Sequence, residues 1–487
     1  MSQGHDGARK KHIGLRQELV VLNRHYPFAI TGFDLVCFSL GGMINALAYS
    51  SLQPIILSLL LLVFFVAMFA FIPSCSFYER KIFIRTFSVG WMMAGVAAIY
   101  VNLLGDSFQL TSDPGWFFNM SSSLTGDRSL LEVSKQTEGS LAVIIWGSIY
   151  DLLSLIGFDR ARFVGVLFNV LMVALAGVLA IKSARKIFGD DPNRLKRMIL
   201  LFASCGLFWL FASIHLRDAL VLLIVMLLVY AWLVFLVKPA LNSSLFFVVL
   251  LCVAGSVFLY FLRAEFVFVP AGMAMAATTA LIFGHNIDRS KLAAYMFAAI
   301  SLIAALMFVV LYVDDFQQYL SQGKEGYQQL ASSLSNEDSL GMTLIVNQPL
   351  PLRLVLGSMY LFVFPIPFWS GFQLDSVYHL FKSFNVLYFY FVIPLVALSM
   401  WQLISSRSVR KVTILFVLFL SIGFTFAVAA TSLETRHFGA FLVPILLVAL
   451  LPDLQDRAIR LRYFQLLILM MLAVVLVHLV WVIIKFF

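Results

Sequence analysis

Several ionisable side chains at the ends of apolar segments are the groups in this sequence that could carry out chemistry. Arginine pairs with phosphate or carboxylate through two parallel hydrogen bonds, so arginines at several segment ends indicate an anionic ligand. Carboxylates beside such a ligand could act as a general base or bind a metal ion. These residues are Asp106, Asp113, Arg217, Arg263, Arg353, Glu434, Arg436 and His437.

The sequence "ETRH" at residues 434–437 is the most informative of these positions. Three ionisable groups occur within four residues, and apolar segments flank them on both sides. A charge near bilayer depth is costly unless it is paired or faces a wet cavity. The grouping of Glu434, Arg436 and His437 therefore favours a shared polar cavity over an ordinary hydrophilic turn.

The other positions have a structural interpretation beside the functional one. Arg217 could form an ion pair with the adjacent Asp218 at a helix end, and Arg263 could anchor a short turn together with Glu265. Acidic residues in a loop are usually only solvated, which applies to both aspartates named above. The residues alone leave these alternatives open.

The composition indicates what kind of scaffold must position these side chains. Of the 487 residues, 61% are hydrophobic and only 12% are charged, whereas soluble domains contain about 45–50% and about 25%. The net charge of +9 does not indicate nucleic-acid binding, because Lys and Arg in membrane proteins gather on cytoplasmic loops. The chain is predicted to be an all-α, polytopic integral membrane protein whose partner is the lipid bilayer, with no nucleic acid.

Apolar segments of the length that a membrane helix needs recur along the chain. A helix requires about 20 apolar residues to cross the hydrocarbon core. Together with the positive-inside rule, which places the basic segment 1–27 in the cytoplasm, these segments predict a helix bundle of about 13 spans. The predicted spans are 28–48, 52–72, 87–104, 161–181, 198–214, 219–237, 245–262, 266–283, 292–313, 384–402, 412–430, 437–451 and 463–484.

Two further apolar runs, 141–157 and 352–370, are predicted to be surface or re-entrant helices on the outer face. The alternation of basic and acidic loops leaves no place for them as spans. Residues 28–487 are thus predicted to form a single transmembrane domain with two long external loops, 105–160 and 314–383. Because both loops lie on the same side, chemistry or recognition is expected there.

Five segments occur in an order that resembles the C-type membrane glycosyltransferases (the GT-C superfamily). The first pairs an Asp with aromatic residues, the second returns to a basic loop, and the others begin with polar clusters or an Arg before apolar runs. They are "SDPGWFFNMSSSL" (112–124), "GFDRARFVGVLFNVLMVALAGVLAIKSARKIFG" (157–189), "SIHLRDALVLLIVMLLVY" (213–230), "YFLRAEFVFVPAG" (260–272) and "TRHFGAFLVPILLVALLP" (435–452).

This resemblance implies transfer of a sugar or oligosaccharide from a polyprenyl-phosphate or polyprenyl-diphosphate donor to a glycan or lipid-linked acceptor. The reaction would take place at the periplasmic face of a bacterial inner membrane, in cell-surface glycan biosynthesis. It names no certain cofactor and leaves a divalent cation and any metal ligand open. By position, it implies catalysis by Asp113 and then Asp106, donor binding by Arg217, Arg263, Arg353, Arg436 and His437, and sugar or acceptor binding by Trp116, Trp369 and Glu434.

Two other functions stay open at this point. Oligosaccharide repeat-unit polymerases of the O-antigen type share the many-span, arginine-lined design, and the segment 314–383 could wall a long acceptor groove. A flippase for lipid-linked oligosaccharides, or another secondary transporter, belongs to a different class. Transporters commonly place ionisable residues near the midplane on broken helices and show internal repeats. In this sequence the charges cluster at one face, which favours an enzyme.

Overall fold

The computed structural model describes residues 29–72, 75–124, 139–237, 243–284, 345, 347–372, 376–406 and 411–486. Within these ranges the chain is helical and contains no strand. Nine of the described helices are long and apolar enough to cross a membrane, or ten if one bent pair counts as a single span. The all-α prediction is confirmed at this level, and the long apolar helices agree with an integral membrane protein.

The α-helices of the described ranges alternate between long apolar elements and short connecting ones. Two 3₁₀ helices, Ala264–Phe268 and Phe368–Gly371, interrupt the connections. In chain order the α-helices are α1 (Gly32–Tyr49), α2 (Gln53–Phe71), α3 (Phe77–Asn102), α4 (Ser107–Thr111), α5 (Asp113–Ser122), α6 (Ser140–Ser154), α7 (Arg162–Phe188), α8 (Pro192–Ala203), α9 (Gly206–Ser213), α10 (Asp218–Val237), α11 (Ser243–Leu262), α12 (Val269–Phe283), α13 (Leu350–Val363), α14 (Val377–Ser405), α15 (Val412–Ala430), α16 (Thr435–Gly439), α17 (Leu442–Ala449) and α18 (Arg457–Phe486).

The predicted count of about 13 spans is matched only in part. Helices α8 and α9, predicted as one span at 198–214, are bent by 56° at their junction. The predicted span 437–451 needs correction, because it is divided into α16 and α17. Helix α17 has eight residues and rises about 12 Å, less than half of the roughly 30 Å core. Residues 1–27, 292–313 and 314–344 lie outside the described residues.

The two apolar runs that were predicted not to span form helices α6 and α13. They contain 15 and 14 residues, so each rises roughly 21–23 Å at 1.5 Å per residue. Both are therefore shorter than the roughly 30 Å that a spanning helix must cover. The side of the membrane on which they lie stays a prediction.

Helices α3 and α7 form the centre of the bundle. Helix α7 is apolar all round and 83% of its best span window is buried, as expected of a helix surrounded by other helices. Phe83, Phe87 and Trp91 of α3 are fully buried as well, on the side of α3 that faces α1 and α2. Helix α18 is the opposite case, because only 6% of its window is buried. Its apolar surface is the part of the described bundle best suited to face lipid.

The ends of several helices meet around Asp106, and this end of the bundle is called the Asp106 end. The Asp106 carboxylate caps α4 by accepting from Phe108 N at 3.0 Å, and it also accepts from Val377 N, the first residue of α14, at 3.3 Å. Arg162, the first residue of α7, donates to the carbonyl of Gln109 at 2.8 Å. The end of α3 and the starts of α7 and α14 therefore meet at one level.

Close packing of α1 on α3 depends on Gly41, and we expect Gly41→Ala to lower the thermal stability in detergent. A Cβ at this position would lie 2.8 Å from the backbone N of Met92, and backbone atoms cannot move aside as a flexible side chain can. Overpacking of this kind costs about 1–3 kcal/mol, more than the roughly 1 kcal/mol that alanine adds to helix propensity.

The matched control for this prediction is Gly423→Ala in α15, where no atom of the described residues lies within 4 Å of the added Cβ. This variant should be neutral or slightly stabilising. Equal melting temperatures for the two variants would show that α1 and α3 are not in the close contact described.

Candidate functional site

Three arginines and a histidine from three connections meet at the Asp106 end. Arg217 directly precedes α10, Arg263 follows α11, and Arg436 and His437 lie in the short helix α16. The Arg263 guanidinium lies 5.4 Å from the ring of Phe266, and the His437 ring lies 6.5 Å from the same ring. These four residues are called the arginine cluster.

Arg263 is the buried cation with the most unused hydrogen-bonding capacity in the cluster. It is only 2% exposed. Its carboxylate neighbours Asp218 and Glu265 lie at 3.8 and 3.6 Å, beyond the usual limit of about 3.2 Å for an N–H···O bond. Nε and Nη1 of Arg263 and Oδ2 of Asp218 have no hydrogen-bond partner among the described residues. Buried donors are normally satisfied, so an oxygen-rich anion would fit these two N–H groups.

Arg217 connects the start of α10 to two other elements of the site. Its Nη1 donates to the carbonyl of Leu262, the last residue of α11, at 2.8 Å. Its guanidinium lies 5.4 Å from the ring centre of Phe117 in α5. Arg217 therefore lies between the helix that carries Asp113 and the segment that carries Arg263.

Arg436 and Asp113 form an ion pair at the rim of the cluster, with Nη1 and Oδ2 3.0 Å apart. The Asp113 side chain is 50% exposed and that of Arg436 is 15% exposed. Burial lowers the pKa of Arg436, but Asp218, Tyr378, Glu434 and Asp113 outweigh that effect and hold its pKa above the usual value. Arg436 is thus a permanent cation beside a carboxylate that solvent and ligands can reach.

Glu434 positions Arg436. Its carboxylate caps α16 by accepting from Arg436 N at 3.4 Å, it accepts from the Tyr378 hydroxyl, and it lies 3.7 Å from Lys382 Nζ. Burial raises the pKa of Glu434, yet Lys382, Arg436 and the Tyr378 hydrogen bond lower it below its usual value. Glu434 is therefore ionised and bound by these partners, and the sugar or acceptor contact that the resemblance implied for it stays a prediction.

Tyr378 and Lys382 were missed by sequence reasoning although both contact the site. They lie four residues apart on α14 and so share one face of that helix. Lys382 is 8% exposed and lies near the start of a long apolar helix. A lysine in such a place is costly without a partner, and that was the available signal.

His437 is a neutral imidazole in this environment. Burial lowers its pKa well below the usual value, and the charges of Arg263, Arg436 and Arg217 lower it further. A neutral ring carries one N–H donor and one acceptor nitrogen. His437 can therefore hydrogen-bond a ligand without adding a positive charge.

Two predicted site residues, Asp106 and Arg353, make structural contacts at helix ends. Asp106 is 1% exposed and accepts from Gln109 Nε2 at 3.0 Å in addition to the two backbone groups described above. Arg353 donates to the carbonyls of Ala429 and Thr431 at 3.3 and 3.1 Å. A cation at a helix C-terminus donates hydrogen bonds to the free carbonyls there and interacts favourably with the negative end of the helix dipole. The geometry thus gives Asp106 and Arg353 roles at helix ends, and their predicted roles in catalysis and donor binding stay predictions.

The two predicted tryptophans occupy different surroundings. Trp116 lies one turn after Asp113 on α5, is partly exposed and meets Phe117 edge-on at 5.0 Å. Trp369 packs on the imidazole of His478 in α18 at 4.9 Å. The structure brings Trp116 near the Asp113 carboxylate and places Trp369 against the peripheral helix.

Comparison with known proteins leaves the site to be interpreted from its own geometry. No family model matches the chain, and no curated protein matches its sequence. In the described ranges, no three His, Cys, Asp or Glu side chains are grouped so that they could hold a metal ion. The arrangement offers three cations, a neutral imidazole and a reachable carboxylate, which suits an anionic ligand next to a proton acceptor.

Proposed function

We propose that the protein is a membrane glycosyltransferase that transfers a sugar or oligosaccharide from a polyprenyl-phosphate or polyprenyl-diphosphate donor to an acceptor hydroxyl. The proposal extends to the external face of a bacterial inner membrane and to cell-surface glycan synthesis, as the resemblance implies. The observation that carries it is the pair of Arg263 donors that have no hydrogen-bond partner in the described part of the chain, with Arg217 and Arg436 beside this buried side chain.

The phosphate of the donor would lie among the three arginines. The arginines face the carboxylates of Asp218, Glu265 and Asp113, and the donor phosphate would compete with these carboxylates for the guanidinium groups. Negative charge grows on this phosphate as the bond to the sugar breaks, and positioned cations stabilise such charge strongly. The neutral imidazole of His437 can donate one hydrogen bond to the same group.

The reaction step would use Asp113 as the general base. The acceptor oxygen forms a bond to the anomeric carbon, its proton passes to the Asp113 carboxylate, and the bonding electron pair of the broken C–O bond leaves with the phosphate. Without donor, Arg436 holds Asp113 in an ion pair. A donor phosphate competes for Arg436, so binding of the donor would release the carboxylate for proton abstraction. Trp116, one turn away, could stack on a sugar ring.

The proposal is tested with the purified full chain in lipid vesicles containing polyprenyl-phosphate and polyprenyl-diphosphate sugars and an acceptor glycan. Formation of a new glycosidic bond, measured by mass spectrometry of the products, is the expected result. A single addition would indicate a transferase, and a ladder of products would indicate the repeat-unit polymerase. Movement of the lipid-linked sugar between leaflets without a new bond would overturn the proposal in favour of the flippase.

A further inference from the structure

A cavity lies at the end of the bundle opposite the arginine cluster. Helix α14 begins at Val377 beside Asp106 and ends at Ser405, so Ser405 marks the far end. The cavity there has a volume of about 450 Å³, within the roughly 300–1,000 Å³ of small-ligand sites. The ends of five helices (α7, α8, α14, α15 and α18) and the 451–453 connection line it. The polar and aromatic lining includes Arg194, Trp401, Ser405, Lys411, Asp453 and Arg462.

The lining of this cavity is positively charged. Three cations face it against the single carboxylate of Asp453. Arg194 is partly occupied by Asp191 at 3.4 Å and by the carbonyl of Leu451 at 3.3 Å. Lys411 and Arg462, in contrast, form no ion pair with any residue in the described part of the chain. Walls of one sign concentrate counter-ions of the other sign.

The surroundings favour a lipid as the source of the anion. Trp401 lies at the mouth of the cavity and is 59% exposed. An exposed tryptophan at the end of a membrane helix is typical of the membrane–water interface. Next to it, exposed apolar side chains of α18, including Leu461, Phe464 and Ile468, continue along the bundle. A soluble phosphate would use only the cations, whereas a phospholipid would also cover this apolar surface.

We infer that this cavity binds the phosphate headgroup of an anionic phospholipid, whose acyl chains lie along the exposed surface of α18. Basic pockets between membrane helices bind such headgroups. The inference does not depend on the proposed transfer reaction. It rests on the cavity, its uncompensated cations and the adjoining apolar surface.

The experiment compares lipid binding by the purified full chain, using native mass spectrometry with phosphatidylglycerol, phosphatidylcholine and glycerol phosphate. Wild type should retain phosphatidylglycerol, and the Lys411→Gln/Arg462→Gln variant should lose at least about ten-fold in affinity. The control is Arg457→Gln/Arg460→Gln, which removes two cations from the same region outside the cavity lining. It should bind as wild type does.

Equal losses in the two variants would overturn the inference, because net charge alone would then explain binding. The inference would also be overturned if the cavity variant retained phosphatidylglycerol as well as the control variant does. Binding of glycerol phosphate as strong as that of phosphatidylglycerol would overturn it too. If the cavity variant does not fold, brominated phosphatidylglycerol is added to the wild type and to Trp401→Phe. In the wild type, brominated phosphatidylglycerol should quench tryptophan fluorescence more strongly than brominated phosphatidylcholine does, and Trp401→Phe should show no such difference. A wild type without this difference would contradict the site.

Discussion

The Asp113→Asn variant is expected to lose transfer activity by about 10²–10⁴-fold, the usual contribution of a general base. The asparagine amide has nearly the same shape but cannot accept the proton of the acceptor hydroxyl. Stability should change little, because the side chain is 50% exposed and exposed ion pairs contribute about 0–1 kcal/mol. The measurement is the initial transfer rate in vesicles, normalised to folded protein.

The chain offers a closely matched control in a second ion pair. Asp151 is 47% exposed and binds Arg160 at 2.5 Å, and both residues lie outside the arginine cluster. Asp151→Asn should therefore leave transfer at the wild-type rate. Comparable losses in Asp113→Asn and Asp151→Asn would remove Asp113 from the reaction and point to a general effect of surface charge.

The Arg436→Gln variant is expected to lower transfer by about 10²–10³-fold, which is typical when a group that stabilises transition-state charge is removed. Glutamine still donates hydrogen bonds but carries no charge to offset the leaving phosphate. The Arg436 side chain pairs with Asp113, and its backbone N donates to the Glu434 cap, so the charge of Arg436 is held next to the proposed base. The loss should appear in kcat as well as in kcat/KM, measured with varied donor.

Arg160→Gln is the control for this second prediction. Arg160 donates to the carbonyls of Ser122 and Leu124 and binds Asp151, so its loss tests the removal of an arginine near the same end of the bundle.

The double variant of Asp113 and Arg436 should lose less transfer activity than the product of the two single losses, since groups that act on one step are non-additive. Strict multiplicativity would contradict the coupling seen in their ion pair.

Helix type and apolar character could be predicted from the sequence because both depend on local composition. Helix α10 has nearly the predicted limits, whereas α7 begins within one residue of the predicted start but continues to Phe188, seven residues past the predicted end at 181. The span predicted at 437–451 was wrong, because the chain there is divided into α16 and the eight-residue α17. Mean hydropathy over a run does not show where a helix ends.

The residue types of the candidate site could also be identified from the sequence, but their partners could not. A turn contact between Arg263 and Glu265 was one of the alternatives that the sequence left open, and the structure adds Asp218 from a different connection. The sequence did not indicate that Tyr378 and Lys382 of α14 contact Glu434. These contacts join residues separated by about 45 to 56 positions in the chain, a range over which sequence spacing carries no geometric information.

The helical and apolar character of the chain and the arginines at its helix ends could be predicted, because they follow from composition and local periodicity. Which charges meet could not be predicted, because it depends on the folded arrangement of the helices. The tertiary structure brought Arg217, Arg263 and Arg436 to one end and paired Asp113 with Arg436. It also assigned Asp106 and Arg353 to helix caps. The physical reason is that a charge near the bilayer must find a partner, and the packing of distant helices determines which partner lies within reach.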